Sequence, residues 1–206
     1  MVVVVDYGMG NLRSVAKALE SLGASVKVSS DPCDVERAER LVLPGVGAFG
    51  DAARELESRG LRAPVTTYLA QGTKPFLGVC LGLQLLFESS EEAPGVRGLG
   101  CFRGTVRRFA SALPGGARLK VPHMGWNRVR QAAASPLTDG VVDMSFFYFV
   151  HSFYPDPLER VIVLGETEYG VVFPAVVGRG RVFGCQFHPE KSQRAGLRLL
   201  ANFLKV

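Results

Sequence analysis

Apolar positions along this chain fall into two alternating patterns. Val2 to Val5 is an unbroken apolar run that stops at Asp6. A run of that length predicts a strand covered on both faces. Leu12, Val15, Ala16, Leu19 and Leu22 then recur at helical spacing, with Gly23 as the stop signal. Ala24 to Val28 predicts a second strand, and Asp31-Pro32 an N-cap and first-turn proline for a short helix. Leu41-Val42-Leu43 predicts a third strand ending at Pro44. Phe49 to Leu69 carries helical spacing, broken by Gly60 and Pro64. Phe76 to Val79 predicts a fourth strand, and Leu81 to Glu88 an amphipathic helix. Continuous apolar strands alternating with helices imply an α/β fold. Its core is an open, mainly parallel twisted sheet flanked by helices.

The second half changes rhythm. Short β-like runs appear at Thr105 to Phe109, Trp126 to Val129, Phe146 to Val150, Val161 to Leu164, Val171 to Val177 and Arg181 to Phe187. Turn residues such as Pro114-Gly115-Gly116 and Gly178-Arg179-Gly180 separate them. These runs predict antiparallel and mixed strands added to the same sheet. Gln193 to Lys205 predicts a closing helix with Leu197, Leu200, Ala201 and Leu204 on its apolar face. No repeat or linker interrupts the chain, so residues 1–206 read as a single domain.

Composition narrows the picture. The first apolar run is too short for a membrane span or signal peptide. The net charge of +5 comes from scattered basic residues, with Arg107-Arg108 the one adjacent pair. A scattered pattern argues against nucleic-acid binding. The four cysteines lack the spacing of a zinc site or disulfide framework. No metal or other cofactor is expected, and a reducing, cytoplasmic setting fits. Cys33, Cys101 and Cys185 read as small buried hydrophobes.

Cys80 reads differently. It stands in Gly78-Val79-Cys80-Leu81-Gly82-Leu83-Gln84, between a predicted strand and a predicted helix. A nucleophile elbow needs this arrangement, and glycines tolerate its tight turn. A helix N-terminus favours the reactive thiolate. Far downstream, His188-Pro189-Glu190 follows a predicted strand. In extended geometry residues i and i+2 point the same way. Glu190 can then orient the His188 imidazole, leaving its other nitrogen for Cys80. Without the elbow, His188 would read as a surface histidine beside a solvated carboxylate.

Gly-x-Cys-x-Gly-x-Gln with a later His-Pro-Glu resembles the class I (triad) glutamine amidotransferases. Asp6-Tyr7-Gly8-Met9-Gly10-Asn11, Pro44-Gly45-Val46-Gly47, Pro122-His123-Met124-Gly125-Trp126-Asn127 and Val150-His151-Ser152-Phe153-Tyr154 extend the resemblance over nearly the whole chain. They point to the branch that supplies ammonia in histidine biosynthesis. The resemblance implies a glutaminase with Cys80, His188 and Glu190 as catalytic triad. It implies L-glutamine as substrate, bound by Gln84 and the Ser152-Phe153 backbone, with Glu92 toward the substrate amino group. Oxyanion donors would come from the Leu81 N–H and the Gly45-Val46-Gly47 segment, whose flanking glycines let the peptide rotate. The implied partner is a cyclase with a (β/α)₈ barrel, forming a heterodimer. Asn11, Met124, Trp126, Tyr148 and Lys191 would lie at its interface or at an ammonia gate. The glutaminase component of anthranilate synthase, a non-catalytic partner-binding subunit and an unrelated cysteine hydrolase remain as alternatives.

Overall fold

A computed structural model describes residues 1–112 and 118–206. The Pro114-Gly115-Gly116 turn lies outside the described residues. The first half runs β1 (Val2–Val5), α1 (Leu12–Ser21), β2 (Val26–Ser29), α2 (Pro32–Arg37), β3 (Arg40–Gly45), α3 (Phe49–Ser58), α4 (Arg62–Gln71), β4 (Phe76–Cys80) and α5 (Leu81–Gln84). The second half runs β5 (Phe87–Ser90), β6 (Phe102–Arg108), β7 (His123–Gln131), β8 (Ser145–His151), β9 (Phe153–Pro157), β10 (Val163–Glu168), β11 (Val172–Arg179), β12 (Val182–Cys185) and α6 (Gln193–Phe203).

Nine strands form one sheet in the order β2-β1-β3-β4-β12-β11-β10-β7-β8. The first five are mutually parallel, and the remainder continue antiparallel. Alternation along each strand splits the core in two. Val3, Val5, Leu41, Leu43 and Phe76 pack into one cluster with α3 and α4. Val2, Val4, Val42, Leu77 and Val79 pack into the other with α1 and α6. Double coverage is why β1, β4 and the centre of β3 read as apolar runs, whereas the edge strand β2 carries Lys27 and an exposed Val28. The sheet also gathers the carboxyl ends of β1, β3, β4 and β12 at one edge, where open α/β sheets place their sites.

Several expectations need correction. The second-half strands do not all join the main sheet: β5, β6 and β9 form a separate three-stranded sheet. The helix expected from Leu81 to Glu88 stops after one turn at Gln84. Leu85, Leu86 and Phe87 are all fully buried, so the stretch has no polar face. The carbonyls of Leu85, Leu86 and Phe87 accept from Leu99, Phe102 and Gly100 instead of from a following helical turn. Gly60 does separate two helices, at φ +68°, but Pro64 is the third residue of α4. A first-turn residue needs no intrahelical N–H, so proline fits there.

In α6 the buried face is Gly196, Leu199, Leu200 and Phe203, rotated from the expected one. Asn202 draws that rotation by donating to the carbonyls of Leu137 (3.0 Å) and Asp139 (2.7 Å). Val161, expected in a strand, lies in a 3₁₀ turn and is exposed. Cys33 is exposed and not a core residue, because its helix opens at a surface N-cap where its N–H donates to Asp31.

Candidate active site

Strand β4 ends at Cys80 with φ 54° and ψ −106°, a region that L side chains rarely occupy. Strain of this kind is kept only where the surroundings enforce it. Here the enforcement is steric. A Cβ on Gly78 would lie 2.5 Å from the Gly82 carbonyl oxygen, and one on Gly82 only 1.8 Å from that of Leu43. Both glycines are required by the close approach of α5 to β3 and β4. The turn raises the thiol off the sheet edge into a nucleophile elbow. The helix behind it is a single turn, so its dipole assistance is correspondingly small.

His188 lies three residues beyond β12. The pair does not sit on a strand as expected: Pro189–Lys191 form a 3₁₀ turn. Pro189 at the first helical position bends the chain so that the Glu190 carboxylate reaches His188 Nδ1 at 2.9 Å. The backbone N–H of His188 donates to the Tyr148 carbonyl (2.9 Å), and Ser192 Oγ donates to the His188 carbonyl (2.6 Å). His188 Nε2 and Glu190 Oε2 are buried with no hydrogen-bond partner among the described residues. Burial opposes a charge on His188. The Cys80 sulfur and the Glu190 carboxylate outweigh it and raise the imidazole pKa to about 10.

A cavity of about 400 Å³ opens over Cys80, lined by Val46, Gly47, Leu81, Gln84, Glu92, Ser152 and Phe153 among others. The residues singled out for oxyanion and substrate contact are therefore brought together, with Gly45 in register opposite Cys80. Gln84 is buried and donates to the Phe153 carbonyl at 3.1 Å. One oxygen of Glu92 accepts from the Phe49 N–H at 2.7 Å, at the start of α3.

Met124, Trp126, Tyr148 and Lys191 form a separate group. Met124 and Trp126 are exposed on β7, so the tryptophan is not a core residue. Trp126 meets the Tyr148 ring edge-on at 5.9 Å, and Lys191 Nζ lies 5.9 Å from the same ring. Asn11 is the N-cap residue of α1, which packs against the 3₁₀ turn that ends at Lys191.

Two neighbours of Cys80 escaped the sequence reading. Gln186 is fully buried, and its amide donates toward Cys80 Sγ at 3.7 Å while its Oε1 accepts from Gln84 at 3.2 Å. Tyr7 is also fully buried, and its hydroxyl has no partner among the described residues. Burial first, and Cys80 second, push that hydroxyl's pKa above the usual tyrosine range. For Gln186 the available signal was a polar residue directly after an otherwise apolar strand. Such a residue must be paired if buried.

The glutamine amidotransferase class-I family model matches residues 3–206, and the chain belongs to that family. Its likeness to solved structures shows the same fold. A glutamine amidotransferase crystal structure covers 100% of this chain and 98% of its own, at TM-score 0.77 and 22% identity. PurLQS from Thermotoga maritima gives 0.71 at 21% identity, covering 99% and 97%. Within the family the chain stands with the HisH subunits of imidazole glycerol phosphate synthase. It is 54% identical to that of Dechloromonas aromatica, over 99% of this chain and 95% of the relative. It is 50% identical to that of Geobacillus kaustophilus, over 100% and 97%.

Proposed function

We propose that this chain hydrolyses glutamine through a Cys80–His188–Glu190 triad and passes the ammonia to a cyclase subunit. The observation that carries the reading is a strained Cys80 that lines a cavity and acts on the buried imidazole of the His188–Glu190 pair. Cys80 Sγ attacks the side-chain carboxamide carbon as the thiolate, its proton having already passed to His188 Nε2. The resulting oxyanion takes hydrogen bonds from the Leu81 N–H and from the Gly45-Val46-Gly47 segment. One such donor contributes about 3–4 kcal/mol to the barrier. The tetrahedral species collapses as the C–N bond breaks, and His188 gives its proton to the departing ammonia. A thioester remains. His188 then takes a proton from water, which attacks the thioester carbon. The C–S bond breaks, glutamate leaves, and the thiolate is restored beside the His188 cation that holds the proton taken from water. Glu190 holds the imidazole and stabilises its cation throughout. Gln84, Glu92 and the Ser152-Phe153 backbone hold the substrate.

The partner is a (β/α)₈-barrel cyclase, joined in a heterodimer in the cytoplasm. Met124 and Trp126 are apolar side chains exposed on one strand, and aromatic anchors of this kind make interface hot spots. The Trp126–Tyr148–Lys191 cluster adjoins the turn that carries His188, so it can gate an ammonia channel, with Asn11 at the interface. Gly47 at φ +101° leaves the oxyanion segment able to change peptide orientation when the partner binds its own ligand.

Glutamate release is measured for the chain alone, then with the cyclase and its nucleotide ligand. Low release alone and strong stimulation in the complex support glutaminase and gating together. High release alone keeps the chemistry and removes the gating. No release in either setting overturns the reading.

A further inference from the structure

His188 serves the triad, and the chain's other two histidines face each other elsewhere. His123 on β7 and His151 at the end of β8 are in register and buried. His123 Nδ1 lies 3.0 Å from His151 Nε2, and His151 Nδ1 lies 2.8 Å from the Phe153 carbonyl oxygen. Asn127 Nδ2 lies 3.2 Å from His123 Nε2.

One end of this row determines every proton in it. A carbonyl only accepts, so His151 carries its proton on Nδ1. Its Nε2 must then accept, so His123 also carries its proton on Nδ1. That leaves His123 Nε2 to accept from the Asn127 amide. The amide's orientation is fixed independently: Nδ2 also donates to the Glu168 carbonyl (2.9 Å), and Oδ1 accepts from the Arg128 N–H (2.8 Å). Burial holds both rings neutral, lowering His123 to about 4 and His151 to about 3.

The row ends where a second one begins. The Phe153 carbonyl also accepts from Gln84 Nε2, which reaches Gln186 Oε1, whose amide in turn reaches Cys80 Sγ. We propose that His123 and His151 are positioning residues for glutamine hydrolysis. Locked in a single tautomer, they set the Phe153 carbonyl and, through Gln84 and Gln186, the nucleophilic sulfur. This role rests on the glutaminase reading above. His151 lines the same cavity as Cys80, but neither ring hydrogen-bonds the nucleophile, and the hydrogen-bonded route from the row to the sulfur runs through the Phe153 carbonyl.

Two measurements test it. In ¹⁵N-labelled chain at neutral pH, two-bond proton–nitrogen spectra are expected to show both rings as the Nδ1–H tautomer, the minor form of free imidazole in water. An Nε2–H tautomer on either ring overturns the proposal, and this readout needs no variant to fold. In the complex with the cyclase and its ligand, His151→Phe keeps the ring packing against Phe109 and Phe173 but removes both hydrogen bonds. Its kcat/KM for glutamine is expected to fall about thirtyfold, mostly through KM. His151→Asn, with an amide donor near the Nδ1 position, is expected to recover part of the loss. Unchanged kinetics in His151→Phe overturn the proposal while leaving the glutaminase reading intact. Absence of glutamate release by the unsubstituted complex removes both.

Discussion

The Glu190 carboxylate lies 2.9 Å from His188 Nδ1, and both side chains are shielded from solvent. A buried carboxylate at that nitrogen fixes the tautomer and supports the cation. Glu190→Gln keeps the volume and removes the charge. It is expected to reduce kcat by about 10³-fold with little change in KM, as read in steady-state glutaminase assays. A loss below tenfold would leave Glu190 without an orienting role.

The Cys80 backbone is held by the close approach of two glycines, and its sulfur accepts only the long Gln186 hydrogen bond, which a serine hydroxyl can also accept. Cys80→Ser should therefore fold normally. Its glutaminase rate is expected to fall by at least about 10³-fold, because the serine hydroxyl is a far weaker nucleophile beside the same base. A single-turnover trap with mass detection should find the glutamyl thioester on the unsubstituted chain and nothing on the variant.

The glycines make separate predictions. A Cβ at position 82 would sit 1.8 Å from the Leu43 carbonyl oxygen, an atom that cannot move without shifting β3. Gly82→Ala should destabilise the fold by about 3 kcal/mol or more, seen as a lowered Tm. A Cβ at position 45 would meet the Tyr7 hydroxyl at 2.4 Å and the Leu81 Cβ at 2.8 Å. Gly45→Ala should thus lower Tm as well as activity, whereas Gly45→Ala combined with Tyr7→Phe should recover part of the Tm. An unchanged Tm in Gly82→Ala would contradict the close approach.

Acid stability follows from the histidine pair. In the unfolded chain both imidazoles titrate near 6.5. In the fold they are lowered to about 4 (His123) and about 3 (His151), so between these values the unfolded state binds more protons. Their stabilisation is fully present above pH 6.5, declines as the pH falls below it, and is gone once the pH is below about 4 for His123 and about 3 for His151. For His151 the slope reaches about 1.4 kcal/mol per pH unit in that window. Denaturant midpoints from pH 7 to 4 are expected to fall more steeply in the unsubstituted chain than in His151→Phe.

How much of this was legible in the chain itself depended on the range of the interaction. The inner parallel strands were plain, because a doubly covered strand must be apolar, and β1, β4 and β3 beyond Arg40 are. The elbow was legible because its cause is local: Gly78, Cys80 and Gly82 lie within five residues. The His188–Glu190 contact was reached by a strand argument, although a 3₁₀ turn makes it. The one-turn length of α5 was hidden, because residues 99–102 capture the carbonyls that a longer helix would have used. Gln186 was hidden for a like reason. Its partners, Cys80 and Gln84, lie 106 and 102 residues away, and no spacing rule connects them.

The Glu92–Phe49 hydrogen bond fixes the far end of the segment that follows β3. Its near end is fixed where Gly45 pairs with Cys80. Only Val46, Gly47 and Ala48 remain between these two bearings. So short a span can turn like a crankshaft, swapping N–H for C=O, while both shafts stay still. On the proposed glutaminase reading, such a turn would engage or withdraw an oxyanion donor without moving a strand or a helix.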